Sequence, residues 1–338
     1  MRAIDIVCPV YAEGDAIRIF HERLLSALAA LTSRYVFRFI YVVDPAGDGT
    51  EAVLEDLVSA DPRVEALVMS RRFGHQMALV AGLDASSGDA VVMLDSDLQH
   101  PPEIILQFVE QWEQGGDIVQ AIRTDGRDVA SWKRLTSKWF YKTFMSVGSI
   151  ELKSGAADFR LLSRRVVDVF RSEMREHSPF LRGLVSWVGF NVRYVPFDTA
   201  RRVAGRTKYR LSTLVEFAIN GVTSFSRVPL RACVMIGMLI ALLSIIYGIY
   251  SVVDALLFTR LVPGWATLIT MVSLLGGIQL VFLGVLGEYI AVIFEEVKDR
   301  PRYLVARHLL RVDSSSPEVA PVGSNAILSK SKAHIDRR

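Results

Sequence analysis

The stretch Ala90-Val91-Val92-Met93-Leu94-Asp95-Ser96-Asp97-Leu98-Gln99-His100-Pro101-Pro102-Glu103 is a short apolar run that ends on two carboxylates one residue apart. A run of this kind bounded by turn residues reads as a buried strand. In an open α/β sheet, side chains that follow the carboxyl end of a strand enter the ligand crevice, so Asp95 and Asp97 are expected there side by side. A hard divalent cation such as Mg²⁺ is held by one or two carboxylates together with substrate phosphates. Asp97 is the first choice as metal ligand, with Asp95 and Gln99 assisting or Asp95 holding a ribose. His75 and His100 lack metal-ligand spacing, and His100 reads as a helix-start residue before Pro101-Pro102.

Outward from this strand the same grammar repeats. Ile4–Val10, Phe37–Asp44, Val64–Ser70, Ala90–Asp95 and Asp117–Arg123 are β-rich runs, and Asp15–Leu31, Glu51–Ser59, Gln76–Ala85 and Pro102–Gln114 carry apolar residues at helical spacing. The alternation predicts an α/β fold, a parallel sheet with helices on both faces. Chemistry is then expected just after Val10, Val43 and Leu94.

The last third differs in kind. The 338 residues are 51% hydrophobic and have a mean hydropathy of +0.31, too apolar for an ordinary soluble enzyme, and the excess lies between Leu230 and Phe294. Ala232–Val253 and Trp265–Gly287 are runs of about 22 residues without Asp, Glu, Lys or Arg, enough to cross roughly 30 Å of hydrocarbon as helices. Arg227 and Arg231 precede the first, and Lys298, Arg300, Arg302 and Arg307 follow the second, whereas the link Thr259–Gly264 carries only Arg260. Positive residues stay on the cytoplasmic side, so both termini and the first domain are expected in the cytoplasm of a multi-pass inner-membrane protein. The N-terminus has no signal-peptide pattern. Cys8 and Cys233 have neither disulfide-framework nor metal-ligand spacing.

Two further segments have membrane-surface composition. Apolar residues recur at helical spacing from Leu211 to Phe225, and Trp132–Phe144 interleaves aromatics with Lys133, Arg134, Lys138 and Lys142. Each either lies on the bilayer or packs against the first domain. The expected organisation is a catalytic unit at 1–210, a juxtamembrane amphipathic helix at 211–229, membrane helices at 230–258 and 265–294, and a cytoplasmic tail at 295–338, disordered beyond about 313. A net charge of +3 argues against a nucleic-acid partner.

These motifs, taken in order, resemble those of the polyprenyl-phosphate glycosyltransferases of glycosyltransferase family 2, from about Ile6 to about Val305. That group includes the dolichol-phosphate mannose synthases and the bacterial undecaprenyl-phosphate glucosyltransferases. The resemblance is carried by Pro9-Val10-Tyr11-Ala12-Glu13, Val43–Thr50, Ser70–Gln76, Ala81–Asp84, the Asp97–Glu103 run, Arg202–Tyr209, Ser224-Phe225-Ser226, Pro229-Leu230-Arg231 and Gly287–Ile290. It implies a GT-A, Rossmann-like domain that binds a nucleotide diphosphate sugar through Pro9, Tyr11, Glu13, Asp44, Asp95 and Arg123. Val43 stands where the family usually has Asp, Pro45 and Ala46 where it has Gly and Ser, and Arg72 where it commonly has Asn.

Ser154–Leu162 is similar to the family's Asp-Phe-Arg segment, which implies Asp158 as the catalytic carboxylate. Asp158 acts as a base, orients the acceptor, supports metal and sugar, or is a structural partner of Arg160. Several negative charges meet when a sugar diphosphate approaches a lipid phosphate, so cations are needed, and Arg202, Lys208 and Arg123 are the candidates. The resemblance implies inverting transfer of a hexose, UDP-glucose being the first choice of donor, to undecaprenyl phosphate at the cytoplasmic face, with Mg²⁺ or Mn²⁺ and no organic cofactor. GDP-mannose, galactose, N-acetylhexosamine and aminoarabinose donors are alternatives. A flippase, a downstream glycosyltransferase and a homo-oligomer are the expected partners. The Gln-x-x-Arg-Trp segment of processive synthases is missing. A non-catalytic sugar-nucleotide sensor or scaffold is the rival from another class.

Overall fold

A computed structural model describes residues 1–124, 153, 155–177, 179–198, 228–258 and 264–311. Strands β1 (Arg2–Val10), β2 (Tyr35–Val43), β3 (Val64–Met69) and β4 (Ala90–Met93) alternate with helices α1 (Ala16–Leu28), α2 (Thr50–Ala60) and α3 (His75–Ala85). Helix α4 (Ile105–Glu113) and strands β5 (Ile118–Arg123) and β6 (Ala156–Ser163) follow. Then come α5 (Arg164–Ser172), α6 (Leu181–Trp187) and β7 (Val192–Phe197). Two long helices, α7 (Val228–Phe258) and α8 (Trp265–Lys298), precede a last strand, β8 (Val305–Leu309).

One eight-stranded sheet runs in the order β7-β5-β6-β4-β1-β2-β3-β8. The parallel pairs expected from the alternation are present in β4, β1, β2 and β3. The sheet as a whole is mixed, however, because β6 lies antiparallel between β4 and β5 and β8 lies antiparallel on β3. β6 escapes the apolar-run signature because it carries Asp158 and Arg160 at buried positions. β8 departs from the expected organisation in a second way. The chain beyond the second long helix, read as a tail, returns to complete the edge of the catalytic sheet.

Period-two alternation sends side chains of one strand to both faces. Ile4, Ile6 and Cys8 of β1 join α1, α2 and α4 in one core, and Val7 joins α3, α5 and α6 in the other. Burial of each such Ile, Leu or Phe contributes about 1.5–3 kcal/mol. Helix α3 sits so close to β1 that a Cβ on Gly82 would lie 2.2 Å from Val7 Cγ1.

Helices α7 and α8 bury none of their most apolar windows, Pro229–Tyr250 and Leu274–Lys298. Both are long and apolar enough to cross a membrane. The chain leaving α8 is anchored to the catalytic unit. His177 donates its backbone N–H to Glu296 (2.8 Å), and its ring contacts Glu296 Oε2 (3.0 Å) and the Arg300 carbonyl (2.7 Å). Asp84 accepts from Arg175 (2.8 Å) and Tyr303 (2.7 Å). Arg307 on β8 pairs with Glu51 and, at 2.8 Å, with Glu55. The amphipathic segments 132–144 and 211–225, and the tail beyond 311, lie outside the described residues.

Candidate active site

The carboxyl ends of β1, β2 and β4 are laced together. Leu94 N–H donates to the Val7 carbonyl (3.1 Å), Asp44 N–H to the Val10 carbonyl (3.1 Å), and the Ser96 hydroxyl to the Pro9 carbonyl (3.0 Å). Among the described residues only three other than glycine have positive φ, and two of them sit here: Ala12 (57°) after β1 and Leu98 (62°) after β4. Left-handed backbone at a side chain like leucine is strained and clusters at functional sites. Leu98 is held in it by burial of its side chain and by a turn in which Asp97 Oδ1 accepts the Gln99 N–H (3.0 Å). Asp95, Asp97 and Gln99 are all half-buried.

Asp95 has two histidine neighbours with different roles. His75, the first residue of α3, meets Asp95 Oδ1 at 2.6 Å. Partial desolvation pushes the His75 pKa down, but the hydrogen bond and charge of Asp95 more than offset it and leave the imidazole raised above its ordinary value. His100 is the opposite case. Asp95 N–H donates to its Nδ1 (3.2 Å), so that nitrogen carries no proton, and the ring stacks on Phe159 at 5.2 Å. Burial lowers its pKa despite Asp95 and Asp97 nearby, and His100 is a neutral prop under the loop.

β6 brings the second cluster. Met93 on β4 pairs with Arg160 on β6 in antiparallel register, and continuing two residues draws Asp95 level with Asp158. Asp158 is buried and gripped by two guanidiniums. Arg160 Nη2 donates at 2.6 Å, and Arg182 donates through Nε to both oxygens (3.1 Å each) and through Nη2 to Oδ2 (2.8 Å). Burial alone would raise the Asp158 pKa, but the charges of Arg182 and Arg160 and the Arg182 hydrogen bonds outweigh it and hold the carboxyl well below the usual carboxylate range.

The chain matches known proteins along most of its length. Residues 5–170 match the model of glycosyl transferase family 2, and residues 228–293 match the GtrB C-terminal hairpin. The SfII prophage-derived bactoprenol glucosyl transferase of Shigella flexneri is 38% identical over 304 residues, 90% of this chain and 97% of that protein. The prophage bactoprenol glucosyl transferase homolog of Escherichia coli K12 is also 38% identical, over 98% of its length. So is the glycosyltransferase YkcC of Bacillus subtilis, over 93% of its length. The chain is a family 2 glycosyltransferase.

A solved structure of glucosyl-3-phosphoglycerate synthase from Mycobacterium tuberculosis aligns at 20% identity and a TM-score of 0.43, over 66% of this chain and 79% of that one. That likeness is too remote to carry any part of the assignment.

In this glycosyltransferase the expected nucleotide contacts divide. Pro9 is buried and Glu13 half-buried at the end of β1. Tyr11 is 40% exposed, and Arg72, the departure from the family's usual Asn, lies 4.0 Å over its ring and donates to its hydroxyl (3.1 Å). Asp44, expected to reach the base, is buried, and its two oxygens accept the N–H groups of Phe73 (3.0 Å) and Gly74 (2.8 Å). Its carboxylate fixes the loop that delivers His75. Arg123 is exposed at the end of β5, while Arg202 and Lys208 lie outside the described residues.

The donor set fits a divalent cation. No cluster of three or more His, Cys, Asp or Glu side chains is placed for a metal among the described residues, but Asp95 and Asp97 provide the one or two carboxylates that a hard cation takes when substrate phosphates complete its shell. Sequence reasoning missed Arg182, which no motif marks, and passed over His75 by asking only whether it ligates metal.

Proposed function

We propose that this glycosyltransferase moves a glucosyl group from UDP-glucose to a polyprenyl phosphate at the cytoplasmic face of a membrane that α7 and α8 cross. The observation that carries the reading is the 38% identity to bactoprenol glucosyl transferases over 97% of their length, catalytic half and C-terminal hairpin together. The basic residues flanking α7 and following α8 support cytoplasmic termini. The exposed apolar sides of both helices are compatible with a homo-oligomer. A product made on the cytoplasmic side calls for a flippase and a later glycosyltransferase if the sugar is used outside.

Asp97 and Asp95, with Gln99 beside them, are the residues that would hold Mg²⁺ or Mn²⁺, which when bound neutralises charge on the diphosphate leaving group. His75 holds Asp95 in place, and His100 and the buried Leu98 hold the loop. Pro9, Tyr11 and Glu13 border the nucleotide, and Arg123, Arg202 and Lys208 add positive charge for its phosphates. A phosphate monoester has a second pKa near about 6, so the acceptor is largely dianionic at neutral pH and needs little help losing a proton. Asp158, paired twice and held ionised, therefore orients the site and is not its base. Direct attack of a phosphate oxygen on the anomeric carbon inverts its configuration.

The test is transfer of radiolabel from a panel of uridine and guanosine diphosphate sugars into organic-extractable undecaprenyl phosphate. Wild type and Asp97→Ala are compared with Mg²⁺ or Mn²⁺. Label entering the lipid from UDP-glucose alone, dependent on Asp97 and metal, is the expected result. Binding of a sugar nucleotide without transfer from any donor would favour a sensor.

A further inference from the structure

Three loops leave the carboxyl ends of β1, β2 and β3 and are tied into a ring. Gly14 N–H, after β1, donates to the Thr50 hydroxyl at the start of α2 (2.8 Å), and that hydroxyl donates to Asp48 Oδ2 (2.8 Å). Asp44, after β2, accepts the N–H groups of Phe73 (3.0 Å) and Gly74 (2.8 Å) from the loop after β3. Arg72 of that loop closes the ring on Tyr11, after β1, with its guanidinium 4.0 Å over the ring and Nη1 3.1 Å from the hydroxyl. β1 and β3 stand two strand spacings apart, about 10 Å, so this last contact passes over the end of β2.

The first two ties are partly buried, but Arg72 and Tyr11 are both exposed. An exposed cation–π contact adds little stability, so the fold has small need of it. Among the described residues Arg72 pairs with no carboxylate, and its one side-chain hydrogen bond goes to the Tyr11 hydroxyl. The other N–H donors of the planar fork face the crevice side of the ring of loops, where a ligand can take them. Asparagine, which the family commonly has at this position, is too short to cover Tyr11 from the end of β3.

Strand order says which part of a nucleotide comes to this pair. A cation on Asp95 and Asp97, after β4, holds the diphosphate at that strand. On one side of β4 the end of β6 is filled by the Asp158 cluster, and on the other β1, β2 and β3 follow in turn. Pro9, Tyr11 and Glu13 border the nucleoside on the β1 side. The base is the part of the nucleotide farthest from the metal-bound phosphate, and β3 lies three strand spacings from β4, about 14 Å. The base therefore ends its reach at Arg72.

We propose that Arg72, backed by the ring of Tyr11, binds the nucleobase of the donor. The proposal rests on the nucleotide-sugar reading above. A flat guanidinium stacks on an aromatic base, and its edge donates to carbonyl oxygens, of which uracil has two. Lysine brings a point charge with neither property.

The experiment measures binding of UDP, UMP and uridine to the full chain in nanodiscs with Mn²⁺, by calorimetry for UDP and by competition for the other two. Arg72→Asn should weaken all three by a similar factor, about 3–30-fold, because each carries the base. Arg72→Lys should lose nearly as much. KM for undecaprenyl phosphate should not change, and Tm should stay within about 2 °C, as for other surface substitutions. Weakening seen with UDP but not with uridine, or affinity kept in Arg72→Lys, would assign Arg72 to the phosphates and overturn the proposal. Unchanged affinity for all three ligands in Arg72→Asn, or a large fall in Tm accompanying the loss, would overturn it as well. If Arg72→Asn does not fold, Arg72→Lys decides: similar weakening of UDP and uridine supports the proposal, and none overturns it. Failure of wild type to bind UDP would instead strike the proposed donor, before any variant is made.

Discussion

Arg182 on α6 reaches Asp158 on β6 with its Nε 3.1 Å from both carboxylate oxygens and its Nη2 2.8 Å from one. A carboxylate bound in this way is an anchor for positive charge. Arg160 completes the arrangement from within the core.

Replacing Asp158 by Asn should therefore damage stability as well as activity. Removing one partner of a buried ion pair costs about 3–5 kcal/mol, and two guanidiniums lose their counter-charge here. Thermal unfolding of the full chain in detergent should show a large drop in Tm. The carboxyl pKa is depressed in the folded state, so its contribution is present at all pH values above about 4 and is lost only as pH falls below that. A variant as stable as wild type would show that the cluster is not structural.

The same depression bears on the pH dependence of transfer. With Asp158 ionised throughout, it supplies no acid limb above about pH 4. Loss of rate on the acid side should follow protonation of the acceptor phosphate near about pH 6. In a profile of kcat/KM for the lipid, Asp158→Glu should lower the plateau and leave the limb where it is. A limb that moves with the carboxylate would restore Asp158 as the base.

Gly82 predicts a rescue. Its Cβ position lies 2.2 Å from Val7 Cγ1, so Gly82→Ala should destabilise by about 1–3 kcal/mol through overpacking. Val7→Ala makes room, and the double variant should recover part of the Tm lost in Gly82→Ala. Additive losses in the two single variants would mean that α3 does not press on β1 at this point.

His177 should make the junction behind α8 sensitive to pH. Its hydrogen bond to Glu296 raises the imidazole pKa despite partial burial, so the stabilisation is full below the unfolded value of about 6.5 and is lost as pH rises through the folded value. The Tm difference between wild type and His177→Gln should be larger near about pH 5.5 than near about pH 9. A difference that grows with pH would contradict the pairing.

Legibility in the sequence followed the chemistry of each segment. β1 to β4 announce themselves because strands buried on both faces are nearly continuous apolar runs, and the Asp95–Asp97 pair lies where such a strand must end. β6 was hidden because two of its buried positions are Asp158 and Arg160, whose burial is tolerable only through the ion cluster they form. β8 was hidden because Val305–Leu309 follows a membrane-type helix and its pairing with β3 is a contact across more than two hundred residues. Arg182 lies 24 residues from Asp158, and no local pattern marks that pair. The motif around Asp44 marks the residue but not its hold on the loop, since the N–H groups that its oxygens accept belong to Phe73 and Gly74, about thirty residues away.

The most direct measurement is mass spectrometry of the lipid formed when the full chain, in nanodiscs containing undecaprenyl phosphate, is given UDP-glucose and Mg²⁺ or Mn²⁺. The account predicts a single species, undecaprenyl phosphate carrying one hexose, with UDP released in equal amount and the anomeric configuration inverted by NMR. UDP-glucose left intact, or UDP released with free glucose while the lipid phosphate is unmodified, would contradict it.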